Sequence, residues 1–174
     1  MIQPKKKQLP VLRERSRLLT GFTLIEIIVA ATMITISLAS VAMYYKKVLD
    51  VSEDTTRHIQ SGFLLEEGLE AVKMLRDQSW ATYVAPLATS TAYYLYWSGT
   101  LWTSTTTVQM VENIFTRSFT LSDVRRDASD NIASSGTIDG GTKKVTVSIS
   151  WAVKGGGATI TDTAETYMTN LLSN

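Results

Sequence analysis

The chain has 174 residues, 44% of them hydrophobic, which is room for one ordinary globular domain or for a smaller one beside a long non-globular element. Cysteine is absent, which excludes disulfides, thiolate metal sites and thiol nucleophiles together. The net charge of +1 is unevenly spread: up to Gly21 the chain carries Lys5, Lys6, Lys7, Arg13, Arg15 and Arg17 against Glu14, a net of +5, which leaves −4 for the remainder. A basic head on a mildly acidic protein is either a nucleic-acid arm or a membrane topology signal, and the residues that follow distinguish the two.

From Phe22 to Tyr45 run 24 residues with one charge, Glu26, before Lys46 and Lys47. Phe22, Leu24, Ile25, Ile27, Ile28 and Val29 lead the run. As an α-helix it spans ~36 Å, enough for a hydrocarbon core of ~30 Å. Basic residues crowd its N-terminal side, so the start is expected in the cytoplasm and the rest outside it. An ordinary cleaved secretory signal is the alternative, since Ser40-Val41-Ala42 has the small residues a signal peptidase favours and would leave Met43 as the mature start. Against it stand a run longer than the usual apolar region of about 7–15 residues and the acid near its beginning.

At the junction of basic head and apolar run stands Gly21-Phe22-Thr23-Leu24-Ile25-Glu26. These six residues, between that leader and that helix, resemble the cleavage and N-methylation signature of type IV prepilins and of the pseudopilins of type II secretion and competence systems. The resemblance implies that a prepilin peptidase cuts after Gly21 and methylates the new amine of Phe22. A glycine before the cut suits an extended backbone entering a protease cleft, and Phe22 begins the segment that stays in the membrane. The leader is longer than in many pilins. Many pilins also carry a proline partway along the first helix, whereas Phe22 to Ala85 has none.

Glu26 is the informative residue, because a carboxylate in a hydrocarbon segment costs on the order of 2–3 kcal/mol or more and calls for a partner. Thr23-x-x-Glu26 also reads as a capping box, and an acid in a first helical turn suits the helix dipole. The resemblance implies a second role, pairing with the N-terminal amine of an adjoining subunit to fix the axial register of bundled helices. The two roles are compatible.

Helix is predicted to continue from Lys46 to about Trp80. Val48, Val51, Thr55, Ile59 and Phe63 make a narrow stripe at 3–4 spacing, which either meets neighbouring subunits or is partly covered by the protein's own head. Leu64, Leu65, Leu69, Val72 and Leu75 make a broader face, predicted to pack on that head, with Glu66, Glu67, Glu70, Lys73 and Asp77 turned away. The stretch Glu66 to Trp80 also looks like a segment common in minor prepilin-like proteins. His58, the one histidine, sits in a polar part of the helix and reads as solvated.

After Pro86 the composition turns to Thr, Ser, Tyr, Trp and Val. Strands are predicted at Tyr93–Trp97, at Ile114 to about Ser122 with Phe115, Phe119 and Leu121 on one face, and at Lys143–Val153, where Val145, Val147, Ile149, Trp151 and Val153 alternate with small polar residues. Gly155-Gly156-Gly157 supplies a turn, and Ala158–Met168 returns as the antiparallel partner.

No Ser-His-Asp set, phosphate-binding glycine loop or metal-spaced histidine cluster stands out, so no catalytic residue, cofactor or metal is expected. Asp123, Asp127, Asp130, Asn131 and Asp139 have calcium-type oxygens, but their spacing matches no EF-hand and suits turns. Arg117, Arg125, Arg126, Lys143 and Lys144 form either a basic patch for DNA or the charges that keep sheet edges soluble. Tyr93, Tyr94, Tyr96, Trp97 and Trp102 serve either adhesion or core packing, the latter being the commoner use.

The expectation is an α+β, pilin-like chain: residues 1–21 a removed basic leader, 22–45 a transmembrane and assembly helix, 46–80 its amphipathic continuation, and 81–174 an antiparallel β head. The resemblance implies a structural subunit, a minor pilin or pseudopilin, without enzymatic activity. Its partners would be the prepilin peptidase, other pilins or pseudopilins, an assembly platform protein with its ATPase, and membrane lipid. It would sit in the cytoplasmic membrane with its N-terminus inside and then in a filament in the periplasm or at the cell surface. A membrane-anchored or secreted binding domain with an ordinary signal sequence is the competing class.

Overall fold

A computed structural model describes residues 21–153 and 157–171. The basic leader up to Thr20 and two of the three turn glycines, Gly155 and Gly156, lie outside the described residues. The chain divides into two compact units, Met1–Lys47 and Val48–Asn174. Helix α1, Leu24–Gln78, supplies residues to both.

In the first unit every described residue of α1 is exposed, apolar side chains included. Its hydroxyls are satisfied within the helix: Thr32 donates to the Val29 carbonyl at 2.8 Å, Thr35 to Ala31 at 2.8 Å, Ser37 to Met33 at 2.8 Å and Ser40 to Ile36 at 2.9 Å. Such back-bonding leaves these residues no polar group that demands water.

The second unit is α+β, with α1 packed on a seven-stranded antiparallel sheet. Its strands are β1 Tyr93–Trp97, β2 Trp102–Thr105, β3 Met110–Val111, β4 Phe115–Arg126, β5 Ile132–Ala133, β6 Thr137–Ala152 and β7 Thr159–Thr169. The main order is β2-β1-β4-β6-β7, with β3 and β5 both paired to β4. Alternation sets one face of each central strand inward. Phe115, Phe119 and Leu121 of β4 and Val145, Val147, Ile149 and Trp151 of β6 are buried, while the small polar residues between them face outward.

The inward parity changes once. Asp123 pairs with Lys143, but Val124 pairs with Asp139, so β6 bulges at Gly140, Gly141 and Thr142. Past the bulge Val124 rather than Asp123 points inward, as an extra stretch on one strand requires.

The broad helical face packs as the sequence predicts. Ala71, Val72 and Leu75 are buried with Phe119, Leu121, Val145 and Val147, and Leu65 and Leu69 flank them. Leu64 and Leu65 border a smaller cluster of Phe115, Ile149 and Trp151. Gly68 is the point of closest approach: a Cβ there would stand 2.8 Å from Val147 Cγ1. Helix α1 ends at Gln78, two residues before the predicted Trp80, because Ser79 is extended and caps a second helix, α2, Trp80–Tyr83, accepting the Thr82 amide at 3.2 Å.

Four strands fall where the sequence places them, with changed ends. β1 matches, β4 runs on to Arg126, β6 begins at Thr137 rather than Lys143, and β7 pairs antiparallel with β6 from Thr159 to Thr169. β2, β3, β5 and α2 are additional elements in what was read only as the head.

Candidate functional site

The N-terminal junction is built by the first turn of α1. Gly21, Phe22 and Thr23 precede the helix, so Phe22 stands ahead of it rather than within it. The Thr23 carbonyl accepts the amides of Glu26 at 3.0 Å and Ile27 at 3.2 Å. Backbone closes this turn; among the described residues no side-chain bond joins Thr23 to Glu26, so the reciprocal bonds of a capping box are not formed. Gly21 has open space where a side chain would stand, and Phe22 is 79% exposed. Glu26 is exposed among Leu24, Ile25, Ile27, Ile28 and Val29, themselves exposed.

Helix α1 is long and apolar enough to cross a membrane, with a window of mean hydropathy 2.2, and none of that window is buried. An exposed apolar surface of this extent is the kind that marks a membrane or protein interaction site. The stripe of Val48, Val51, Ile59 and Phe63 is also exposed, so the head leaves it uncovered.

The candidate charges of the second unit are brought into pairs. Arg117, read as part of a surface patch, is buried under α1, 3.0 Å from Glu67, with its guanidinium 4.9 Å from the Trp102 ring centre. Glu67, read as facing away from the sheet, is exposed, yet its carboxylate reaches Arg117, 50 positions along the chain. Arg126 donates to Asp139 at 2.7 Å, Lys143 meets Asp123 at 2.5 Å, Lys144 meets Glu165 at 2.7 Å, and Arg125 donates to the Gly136 carbonyl at 2.9 Å. Arg125, Arg126, Lys143 and Lys144 thus carry their own acceptors, whereas Arg117 has an ion-pair partner but buried nitrogens without a hydrogen bond.

The acidic residues are used by turns and ion pairs. Asp127 accepts the amides of Ser129 at 2.8 Å and Asn131 at 3.0 Å, which hold its carboxyl below the usual range. Arg126 beside Asp139 lowers that carboxyl to about 2. Lys144 likewise lowers Glu165, and Glu165 raises Lys144. Among the described residues no group of three or more His, Asp or Glu is placed to hold a metal ion.

Sequence reasoning missed one constellation. His58 is not merely solvated: its Nδ1 lies 3.1 Å from Asp162 of β7, and its ring meets Trp151 edge-on at 5.0 Å. Ser61, fully buried, donates its hydroxyl to the same Asp162 oxygen, and the His58 carbonyl lies 2.9 Å from that hydroxyl as a competing acceptor. Serine, histidine and aspartate are together, yet the hydroxyl is spent on the carboxylate rather than on the imidazole and is sealed from solvent. A nucleophile requires the reverse wiring, so the cluster clamps α1 to β7. Asp162 lies 104 positions from His58, and no local pattern announces it.

Of the aromatic residues, Tyr93 stacks beside Phe119 at 5.7 Å, as core packing predicts, whereas Trp97 remains 53% exposed. Comparison of the chain with protein-family models, with curated proteins and with solved structures finds no match.

Proposed function

We propose that this chain is a structural subunit, a minor pilin or pseudopilin, of a type IV pilus-like or type II secretion-like filament. One observation carries the reading: an exposed apolar helix with a single carboxylate in its first turn begins at Leu24, one residue beyond the Gly21-Phe22 junction. A prepilin peptidase cuts between Gly21 and Phe22 and methylates the Phe22 amine. The cleaved chain stays in the cytoplasmic membrane by α1 until the assembly platform and its ATPase draw it into a filament. There the helices of other subunits replace lipid around Phe22 to Tyr45. Glu26, lacking a side-chain partner in its own turn, accepts the charged amine of the neighbouring subunit. No catalytic residue, cofactor or DNA contact is needed for this role.

The test is the N-terminus of the mature protein. Mass spectrometry of membrane fractions from a host with a prepilin peptidase is expected to find a methylated Phe22. A mature start at Met43 would replace this reading with the anchored or secreted binding domain.

A further inference from the structure

Strand β7, Thr159–Thr169, closes one side of the sheet, and its outer edge meets no other strand among the described residues. Its register with β6 is unbroken, and the flanking bonds fix the phase: the Val153 amide donates to the Ala158 carbonyl at 3.0 Å and the Asn170 amide to the Gly141 carbonyl at 2.8 Å. Alternation along an antiparallel ladder then turns the even-numbered residues of β7 toward β6. It turns the backbone groups of Thr159, Thr161, Thr163, Glu165, Tyr167 and Thr169 toward the open edge. None of them is proline, so each presents an amide as well as a carbonyl. Of these groups the Tyr167 carbonyl takes one long bond, from the Thr166 hydroxyl at 3.5 Å.

An open edge of this length is normally guarded by proline, lysine, a bulge or an unpaired charge. β7 has no proline, no lysine and no register shift. Its two charges are both tied back to the protein: Asp162 holds Ser61 and His58, and Glu165 holds Lys144 at 2.7 Å and Thr146 at 3.0 Å. A row of unpaired amides and carbonyls in strand geometry is satisfied as a whole only by another strand.

The side chains select which strand. Laid antiparallel on a second copy of itself, about a two-fold axis at Ala164, β7 matches over its whole length. On the side facing α1, Ile160 then meets the partner's Met168, Ala164 meets the partner's Ala164, and Asp162 meets a hydroxyl donor, the partner's Thr166. On the other side Tyr167 meets the partner's Thr161 and Glu165 the partner's Thr163. Apolar residues oppose one another and no like charges do. Centring the axis on Asp162 or Glu165 sets like charges face to face, and centring it on Thr163 shortens the pairing and sets Ile160 against a threonine. We propose that the outer edge of β7 docks a second copy of this chain, the two β7 strands pairing antiparallel about Ala164 into one sheet that runs through both copies. The two-fold reverses the packed segment of α1 in the partner, so this contact is distinct from the helix bundling proposed above and stands independently of it.

The test uses the full chain in detergent, with Ala164→Cys as its single cysteine. In the proposed register Ala164 faces its own copy as a non-hydrogen-bonded pair, with Cα atoms ~4.5 Å apart, close enough for a disulfide. Mild oxidation is expected to give a covalent dimer of Ala164→Cys. Thr161→Cys, ~20 Å from its counterpart, is expected to stay monomeric. Thr163→Pro removes an edge-facing amide that β6 does not use, and in the Ala164→Cys chain it should lower the dimer yield by about tenfold. Thermal unfolding checks that the proline variant is folded. A second readout needs no variant: in the unaltered chain, amide exchange at Thr161, Thr163, Glu165 and Tyr167 should slow as the protein is concentrated. Edge amides that exchange alike at every concentration overturn the proposal. So does a failure of Ala164→Cys to link, equal linking at Ala164 and Thr161 (collision within the micelle), or a yield unchanged by Thr163→Pro in folded protein.

Discussion

The two stretches of α1 on either side of Lys47 share a high apolar content and meet opposite fates. Up to Lys47 the apolar residues run all round the helix, and every one is exposed. Beyond Val48 apolar and charged residues separate onto faces, and the face of Leu65, Leu69, Val72 and Leu75 is covered by the sheet. The difference lies in arrangement. A one-sided face is completed by one neighbouring layer, whereas an all-round apolar helix is completed only by an apolar solvent or by several other helices. The first stretch accordingly finds no cover within the described residues, and the second is covered by the chain itself.

Truncation breaks the comparison most severely. A chain beginning near Asp50 keeps the packed face and is expected to melt cooperatively; one beginning near Ser79 loses Val72 and Leu75 and is expected to show no cooperative transition by circular dichroism. Within the full chain, Leu75→Ala should cost about 2–5 kcal/mol, since Leu75 is fully buried. Leu38→Ala, on the uncovered stretch, should change the same unfolding free energy by less than about 0.5 kcal/mol.

Glu26→Gln tests the uncovered stretch in its own terms. Gln is tolerated at helix starts, and membrane insertion and cleavage should proceed normally. The proposed pairing with a neighbour's amine would be lost, leaving a cation unpaired in a dry core at a cost of about 3–5 kcal/mol. Cleaved protein in the membrane should therefore be unchanged while protein in sheared filaments falls sharply. Incorporation at the wild-type level would reduce Glu26 to a first-turn residue.

Long, regular patterns were legible in the sequence, and short or distant ones were not. β4 and β6 announce themselves because Phe115, Phe119 and Leu121, and Val145 to Trp151, alternate over many residues. β3 and β5 have two residues each, too few for any period, and β2 is largely Thr and Ser around Trp102. The junction Gly21-Phe22 and Glu26 lie in a local motif and could be read directly. The His58–Asp162 and Glu67–Arg117 pairs are made by tertiary packing.

Two glycines of α1 sharpen the contrast between covered and open helix surface. Gly62 has nothing within 4 Å of a would-be Cβ, so Gly62→Ala should stabilise by about 0.5–1 kcal/mol through backbone entropy alone. At Gly68 the same gain is opposed by contact with Val147 at 2.8 Å, on a branched side chain packed in the core. Gly68→Ala should come out net destabilising, by about 1 kcal/mol, and Gly68→Val by more. Urea unfolding of the three variants measures both signs in one helix.

The smallest effect expected is a response to acid, and it belongs to the sheet. Arg126 holds the Asp139 carboxyl at about 2, below its ordinary 3.8, so the folded protein binds that proton less readily than the unfolded chain. The resulting stabilisation is complete above about pH 4 and is lost as pH falls toward about 2. Asp127 and Glu165, also lowered, act in the same direction. All three are solvent-facing, and salt screening keeps each contribution modest. Urea midpoints taken from about pH 5 down to about pH 2 should therefore decline gradually in the wild type. In Asp139→Asn the decline should be shallower, because the pairing charge is already gone, and the variant should start from a lower midpoint at neutral pH. The slope should be the same whether the chain begins at Gly21 or near Asp50, since no residue of the apolar stretch takes part. A slope that depended on the apolar stretch would mean that the two parts of α1 are coupled through charge, against the division that their packing implies.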